Sequence, residues 1–480
     1  MSSRIPVTNA DQYTDLYEKR EKIYNRYVTG RFQWARAVTL WVTLGIYFVG
    51  PWVNWGGRQA VLFDLPERKF HIFFLTFWPQ DFVLLSWMLI IAAFALFFFT
   101  ALAGRLWCGY TCPQTAWTEF FMWIEYKIEG DRNKRIKLDK ADLTWSKLWR
   151  KAAKHTSWVL VALITGFTFV GYFTPMRELF AEFFLFESNG WAYFWIGFFT
   201  LATYINAGWM REQVCLYMCP YARFQSAMFD RNTWIVTYDH RRGEPRGKRG
   251  KKANKDAISE GDKAAAGDAV IKGDCIDCDW CVQVCPTGID IRDGLQYECI
   301  GCAACIDACD QVMLRVGSPT GLIRYSTENE MEGKSTKIIR PRIVVYSLLL
   351  TLFCSLFLYA LISRVPLKLD VIRDRKALAT QTLDQRLENV YTLKVINMVD
   401  APQSYEVLVD GIDGIAIKGA PKIVNVAAGQ VADVGVRVSV ATDAVKTMST
   451  PIEFTVVNTN DSELEASKES RFIAPENLRQ

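Results

Sequence analysis

The chain has 480 residues, half of them apolar and 14% aromatic, yet its mean hydropathy is only +0.05. Strongly apolar stretches must be offset by strongly polar ones, which excludes a uniformly soluble globule and reads as a mixed membrane and soluble chain. The net charge is +5, and the densest basic run, Arg241 to Lys255, lacks the interleaved aromatics of a nucleic-acid surface, so no nucleic-acid partner is expected.

Residues 1–36 form a polar, basic segment carrying Arg20, Lys22, Arg26, Arg31 and Arg36. No cleavable secretory signal is expected ahead of the first apolar run, which anchors and stays. Five uncharged apolar runs follow, Ala37 to Trp55, Phe82 to Ala103, Thr156 to Pro175, Gly190 to Trp209 and Ile343 to Ile362. Each is long enough for a bilayer core of about 30 Å, which needs roughly 20 helical residues. The loop from Gly104 to His155 is rich in Lys and Arg, whereas the loops after the first and third runs hold only Arg58, Arg68, Lys69 and Arg177. Basic loops stay on the cytoplasmic side. The amino terminus and everything between the fourth and fifth runs are therefore expected in the cytoplasm, and the tail beyond the fifth run outside.

The second and fourth runs end alike, in Cys108-Gly109-Tyr110-Thr111-Cys112-Pro113 and Cys215-Leu216-Tyr217-Met218-Cys219-Pro220. Cysteines four apart share one face of a helix, and proline disfavours helix at the residue before it while fitting the first position of the next helix. Cys112 and Cys219 are thus expected to cap the helices that follow. If the two hairpins pack side by side, the four thiols converge. Converging thiolates bind soft Cu(I) or pass electrons as dithiols; the alternatives are small buried residues or two local disulfides, the latter disfavoured in the cytoplasm. Cys354, alone in the fifth run, reads as a packing residue. No apolar run contains histidine, which disfavours membrane haem.

Residues 231–265 read as a basic linker touching anionic headgroups, and 266–335 as a ferredoxin domain. Two matched runs carry it: Cys275-x-x-Cys278-x-x-Cys281-x-x-x-Cys285-Pro286 and Cys299-x-x-Cys302-x-x-Cys305-x-x-x-Cys309. This is the spacing of a protein with two [4Fe-4S] clusters, in which the fourth cysteine of each run serves the other cluster. Cys275, Cys278, Cys281 and Cys309 are expected to hold one cube, and Cys299, Cys302, Cys305 and Cys285 the other. Structural zinc would more naturally use separated Cys-x-x-Cys knuckles. Asp310 stands where the first run has Pro286. After the fifth span (340–364), seven candidate strands between Tyr391 and Phe472 read as an immunoglobulin-like β-sandwich spanning 365–480. It contains neither Cys nor Trp and is expected to bind or dock, or simply to stabilise.

The fold class is therefore multidomain: a five-helix membrane bundle with its four-helix part over 37–230, a cytoplasmic α+β ferredoxin and an outer all-β sandwich. In these features, and in the strings Arg242-Gly243-Glu244-Pro245-Arg246, Cys305-Ile306-Asp307-Ala308-Cys309-Asp310, Leu322-Ile323-Arg324-Tyr325-Ser326-Thr327 and Tyr391-Thr392-Leu393-Lys394, the chain resembles the cytochrome c oxidase accessory family CcoG, also called FixG or RdxA. The Asp310 departure is similar to what that family shows. The resemblance implies a bacterial inner-membrane protein that reduces Cu(II) to Cu(I) in support of copper delivery and assembly of cbb3-type oxidases. Copper would be the substrate at Cys108, Cys112, Cys215 and Cys219. It also implies an unidentified cytoplasmic electron donor, and oxidase assembly factors or a copper transporter as partners. The NapH-type quinol dehydrogenases share the four spans, the paired motifs and the ferredoxin but lack the fifth span and sandwich; that resemblance implies a quinone beside the repeated cysteines, lined by the second and fourth spans. A non-enzymatic assembly scaffold is the third expectation.

Overall fold

Apolar backbone in lipid must satisfy its own hydrogen bonds, which makes each long apolar run a helix. The computed structural model describes residues 22–247 and 272–475, except 375–378, 383, 385, 400, 420 and 446. Of the expected basic features, Arg20, Lys248, Arg249, Lys251, Lys252 and Lys255 lie outside the described residues. The chain forms two compact units, Met1–Cys354 and Ser355–Gln480.

In the first unit, α1 (Arg31–Val49) is followed by a two-stranded ladder, β1 (Asn54–Trp55) and β2 (Arg58–Gln59), and a three-stranded meander, β3 (Val61–Asp64), β4 (Lys69–Ile72) and β5 (Leu75–Phe77). The helices α2 (Phe82–Ala103), α3 (Leu106–Tyr110), α4 (Pro113–Glu129), α5 (Arg132–Lys140), α6 (Trp145–Val170), α7 (Met176–Leu185) and α8 (Gly190–Thr203) come next. A π-helix, Tyr204–Met210, continues α8, and a second π turn, Val214–Met218, precedes α9 (Pro220–Met228). Among the described residues three helices are long and apolar enough to cross a membrane: α2, α6 and α14 (Pro341–Ile362). The other two apolar runs differ from expectation. The first helix begins at Arg31 rather than Ala37 and stops where Gly50 and Pro51 form a 3-10 turn. In the fourth run the α-helix gives way to the π-helix at Tyr204. The third run is helical from Trp145 and ends at Gly171, short of Pro175. Trp87 and Phe94 of α2 meet Phe353 of α14.

The basic stretch expected as a loop from Gly104 to His155 is folded into α3, α4, α5 and the start of α6. Glu125 and Glu129 on α4 are fully buried, and Arg135 (3.1 Å) and Arg211 (2.9 Å) meet Glu125. Lys154 and Lys151 meet Glu129 at 3.0 and 2.8 Å, and Lys151 and Lys22 also hold Asp139. Lys22, Arg135, Lys151 and Lys154, whose charge reads as an orientation signal, are therefore also counter-ions of this network. Burial alone would raise the Glu125 carboxyl, but Arg211, Arg135 and Lys154 outweigh it and hold it down to about 2.

The ferredoxin part begins earlier than its cysteines. Strand β6 (Ile235–Tyr238) pairs antiparallel with β7 (Ile323–Ser326), Val236 opposite Tyr325. The short helices α10 (His240–Gly243), α11 (Trp280–Gln283) and α13 (Glu328–Met331) and the longer α12 (Ala304–Val316) complete it. This corrects the linker expected over 231–265, whose residues beyond 247 lie outside the described ones, in its described part, 231–247. Arg242 there bonds Asp274 (2.5 Å) and the Thr320 carbonyl (2.9 Å), and Arg241 the Glu332 carbonyl (3.1 Å), so they are internal ties rather than lipid contacts. Asp310 lies inside α12, where a proline would remove a helical N–H and clash with the preceding turn; its carboxylate instead accepts from Gly321 N at 2.8 Å. Asp307 of α12 accepts from Gln33 N (2.7 Å) and Phe32 N (3.3 Å), capping α1, and the approach is so close that a Cβ on Gly30 would stand 2.2 Å from the Asp307 carboxyl carbon.

In the second unit all seven expected strands form: β10 (Arg386–Asn397), β11 (Gln403–Asp410), β12 (Ala416–Lys418), β13 (Ile423–Val426), β14 (Val431–Ala441), β15 (Ser449–Asn458) and β16 (Glu465–Ile473). Two more, β8 (Leu367–Arg373) and β9 (Thr380–Gln381), precede them. The sheets run β12-β14-β10-β8, with β9 on β10, and β13-β11-β15-β16. Alternation puts Leu393, Val436 and Val438 of one sheet against Phe454, Val456 and Phe472 of the other. Polar ties replace the missing disulfide: Tyr391, whose ring meets Phe454 edge-on, donates to the Arg471 carbonyl, and Asn389 pairs with the backbone of Ile473 in both directions.

Glu125→Gln is expected to cost roughly 3–5 kcal/mol, because three buried cations lose their shared anion. A carboxyl with a depressed pKa stabilises above its unfolded value, so the parent's thermal stability in detergent should hold from neutrality to about pH 4.3 and fall toward pH 2. Parent-like melting of the variant would remove this network from the stability account.

Candidate functional site

Both cysteine runs of the ferredoxin are wound by the same backbone device. Asp277 (φ 55°) and Asp279 (φ 56°) in the first run occupy the positions of Gly301 (φ 68°) and Ala303 (φ 59°) in the second, all left-handed. Side chains resist that conformation, and in the first run Arg292 compensates: it is buried and meets Asp277 and Asp279 at 2.7 Å each and Asp290 at 2.6 Å. The winding gathers the thiols in two groups. Cys309 feels Cys281, Cys275 and Cys278, and Cys305 feels Cys302, Cys299 and Cys285. The last cysteine of each run thus lies with the first three of the other. Cys285, Cys299, Cys302 and Cys305 line one small cavity together with Cys281. Burial pushes the thiols of Cys281, Cys299 and Cys309 up to about 12. All are free thiols, so two sets of four soft donors, desolvated and awaiting a cation, fit a pair of iron–sulfur cubes.

The paired motifs are also built alike. A left-handed residue, Gly104 (φ 58°) or Arg211 (φ 44°), ends the incoming helix four positions before the first cysteine. One short helical turn then carries Cys108 or Cys215, the second cysteine caps the next helix, and proline is its first residue. The capping expectation for Cys112 and Cys219 holds, and the two thiols of each motif straddle a break instead of sharing one continuous helix.

Cross-bracing brings the motifs together. Gln114, after the first, donates to the carbonyls of Asn206 (3.0 Å) and Arg211 (3.2 Å) ahead of the second. Gln225, after the second, accepts from the Cys108 thiol at 3.5 Å. Burial first, then the neighbouring thiols, push Cys108 up to about 12 and Cys215 up to about 11; Cys108 feels Cys112, Cys215 and Cys219. Among the described residues no group of three His, Cys, Asp or Glu side chains is closed around a single-ion position, so the quartet is gathered but not clamped.

The quartet abuts the second cysteine run. Cys108 packs on the apolar group containing Cys302, and a Cβ on Gly109 would lie 2.9 Å from the Gly301 oxygen and 3.0 Å from Cys302 Cα. Buried Arg105 spans the junction: Nη1 donates to the carbonyls of Cys299 (2.9 Å) and Tyr297, and Nη2 to that of Ala222 (2.8 Å). Its charge favours thiolate at Cys108, Cys215 and Cys299. Arg105, Gln114, Gln225 and Arg292 escape sequence reasoning. The helix-ending position four residues before each first cysteine gave no sequence signal, since it is Gly104 in one copy and Arg211 in the other.

Comparison with known proteins agrees with this geometry. Residues 210–328 match a 4Fe-4S dicluster domain, 85–136 a 4Fe-4S binding domain, and 357–475 the IG-like fold at the C-terminus of FixG. The nitrogen fixation protein FixG of Rhizobium meliloti (strain 1021) is 37% identical over 96% of this chain and 90% of its own length. The chain belongs to the FixG family. Protein RdxA of Cereibacter sphaeroides is 39% identical, covering 83% of this chain and 84% of its own, and its RdxB 38%, covering 86% and 87%. A crystal structure of a FixG-related protein from Vibrio parahaemolyticus is 30% identical over 22% of this chain and 95% of its own, with a TM-score of 0.21. This FixG-family chain is an iron–sulfur electron-transfer protein with membrane-crossing helices and an immunoglobulin-like domain.

Gly109→Ala is expected to cost about 1–3 kcal/mol by overpacking and to make the ferredoxin segment easier to release by limited proteolysis. Unchanged melting and cleavage would mean that the two surfaces are not held together.

Proposed function

We propose that this FixG-family protein is a membrane-bound cupric reductase whose copper site is Cys108, Cys112, Cys215 and Cys219. The observation that carries the reading is the gathered quartet lying directly against the ferredoxin loop at Gly301 and Cys302. Cys275, Cys278, Cys281 and Cys309 would hold one [4Fe-4S] cluster, and Cys299, Cys302, Cys305 and Cys285 the other. Bound clusters supply single electrons at low potential. The chain's own residues do the rest: the thiols prefer Cu(I) to Cu(II), which raises the potential of the bound couple, Arg105 offsets accumulating thiolate charge, and burial excludes water.

In this reading all five apolar segments span. Helix α1 has 19 residues and α8 continues through its π-helix; both expose large apolar side chains, among them Trp41, Val42 and Ile46, and Phe194, Phe198 and Leu201, which suits lipid. The ferredoxin faces the cytoplasm of a bacterial inner membrane and the immunoglobulin-like domain lies outside. The partners would be a cytoplasmic electron donor, a copper transporter and assembly factors of a cbb3-type oxidase.

A second reading, oxidation of a membrane quinol, draws on a cavity of about 230 Å³ lined by Tyr27, Trp41, Phe120, Trp123 and the Arg36–Glu119 pair, reaching Pro286 and Ala304 beside cluster cysteines. It borders α1 and α4 rather than the second and fourth spans.

Anaerobically purified protein is expected to hold about eight irons per chain, two cubes of four. About four would remove one cluster, and about twelve would put a third in the quartet, a result that the 4Fe-4S description of residues 85–136 makes worth seeking. Pre-reduced protein mixed with Cu(II) should then lose its reduced-cluster absorbance while Cu(I) is trapped by a chelator, and should cease to do so when the four cysteines become serine with iron retained. Oxidation by a quinone analogue alone would favour the second reading, and oxidation by neither would leave an assembly scaffold.

A further inference from the structure

A cavity of about 370 Å³ opens beside the buried ion-pair network, between the segment before α1, helices α4 and α6, and the π-helix that continues α8. Its walls are built. Lys154 and Arg211 line it with 4% and 8% exposure, and Trp158 lies under both cations, 4.8 Å from the Lys154 nitrogen and 5.4 Å from the Arg211 guanidinium carbon. The Trp209 and His155 rings stack at 5.8 Å and add a flat wall. Lys22 and Lys151 stand at its more exposed side.

Three observations define what such a space admits. Among the described residues, five cations of the network, Lys22, Arg135, Lys151, Lys154 and Arg211, meet three carboxylates, those of Glu125, Glu129 and Asp139. Glu212 in the wall offsets one of the two surplus charges, so the lining favours an anion and repels a free divalent cation. Secondly, Glu125 Oε1, 1% exposed as a residue, has no hydrogen-bond partner among the described residues, its nearest cation being the Lys154 nitrogen at 3.6 Å, so the lining can accept a hydrogen bond from a ligand hydroxyl as well as bind anionic oxygen. Thirdly, Arg211 and Glu212 also line the neighbouring cavity that contains Cys215. The space is therefore next to the quartet, separated by one pair of side chains.

We propose that this cavity is the vestibule through which copper reaches the cysteines as an anionic chelate, a di- or tricarboxylate carrying the divalent ion, and not as the free cation. The inference rests on the cupric-reductase reading and adds the form of its substrate. The lysines and Arg211 hold the chelator's carboxylates, the indoles cover its carbon frame, and the metal passes to sulfur. In that exchange copper–oxygen bonds break and copper–sulfur bonds form, two thiol protons leave for the freed carboxylates or water, and no electron moves. The chelator departs as its free anion when water carries the protons away, and with one fewer negative charge for each proton its carboxylates take up.

The test uses the full chain with its clusters, in detergent, pre-reduced and freed of excess reductant, mixed with Cu(II)–citrate or with the cationic Cu(II)–bis(ethylenediamine) complex. The half-saturating concentration for cluster oxidation is expected to be about tenfold lower for the citrate complex, and the advantage should shrink with salt. Lys151→Gln should collapse the ratio toward one and Lys151→Arg restore it. Lys22→Gln, at a side chain 45% exposed, should reduce the ratio without the folding risk of a buried change. Equal half-saturation for the two complexes, or an advantage that survives these substitutions, overturns the vestibule and leaves the cupric-reductase reading intact. If neither complex oxidises the clusters, that reading fails and the vestibule falls with it.

Discussion

The structure turns on one buried guanidinium. Arg105 sits where a helix has just been ended by left-handed Gly104, and its planar fork reaches carbonyls of two segments distant in sequence, Cys299 in the second cysteine run and Ala222 in the helix after the second motif. A lysine ammonium would supply the charge but not two divergent donors in fixed geometry. That single side chain sets the spacing between the four-thiol group and the ferredoxin. It also places a permanent positive charge beside the Cys108 and Cys215 thiols, against the desolvation that disfavours thiolate in a dry site.

Around this junction the two halves of the internal repeat are similar in design and different in material. The first copy ends its helix with glycine and uses an α-helical turn; the second uses Arg211 in the left-handed region and π turns. Glycine adopts that conformation freely, whereas arginine needs compensation. Arg211 finds it in Glu125 and the Gly208 carbonyl. The acidic pair on α4 therefore does two things at once: it neutralises Arg135 of α5 and Lys151 and Lys154 of α6, and it secures the turn that presents Cys215.

Much of this was legible in the sequence because the signals were local. Cysteine spacing announced the two clusters, proline after Cys112 and Cys219 announced the helix starts, and period-two alternation announced the seven strands of the sandwich. What was not legible depended on contacts between distant segments. Lys151 and Lys154 look like orientation charges until Glu125 and Glu129 are seen beneath them. Ile235–Tyr238 looks like the start of a linker until its partner strand, Ile323–Ser326, is in place. The strands before Phe82 were missed because each is two to four residues long, too short for alternation to stand out.

The cap that Asp307 places on α1 has a consequence for how the protein is made. The amides of Phe32 and Gln33 find their acceptor 275 and 274 residues further along the chain. At a synthesis rate of about 5–20 residues per second, roughly 15–55 s separate their emergence from that of Asp307. During that interval the first helix is without this cap, and its final seating waits on a residue lying between Cys305 and Cys309. The start of the first helix is thereby completed only after most of the second cysteine run has been translated, so a chain that stops short of Asp307 leaves those two amides without this acceptor.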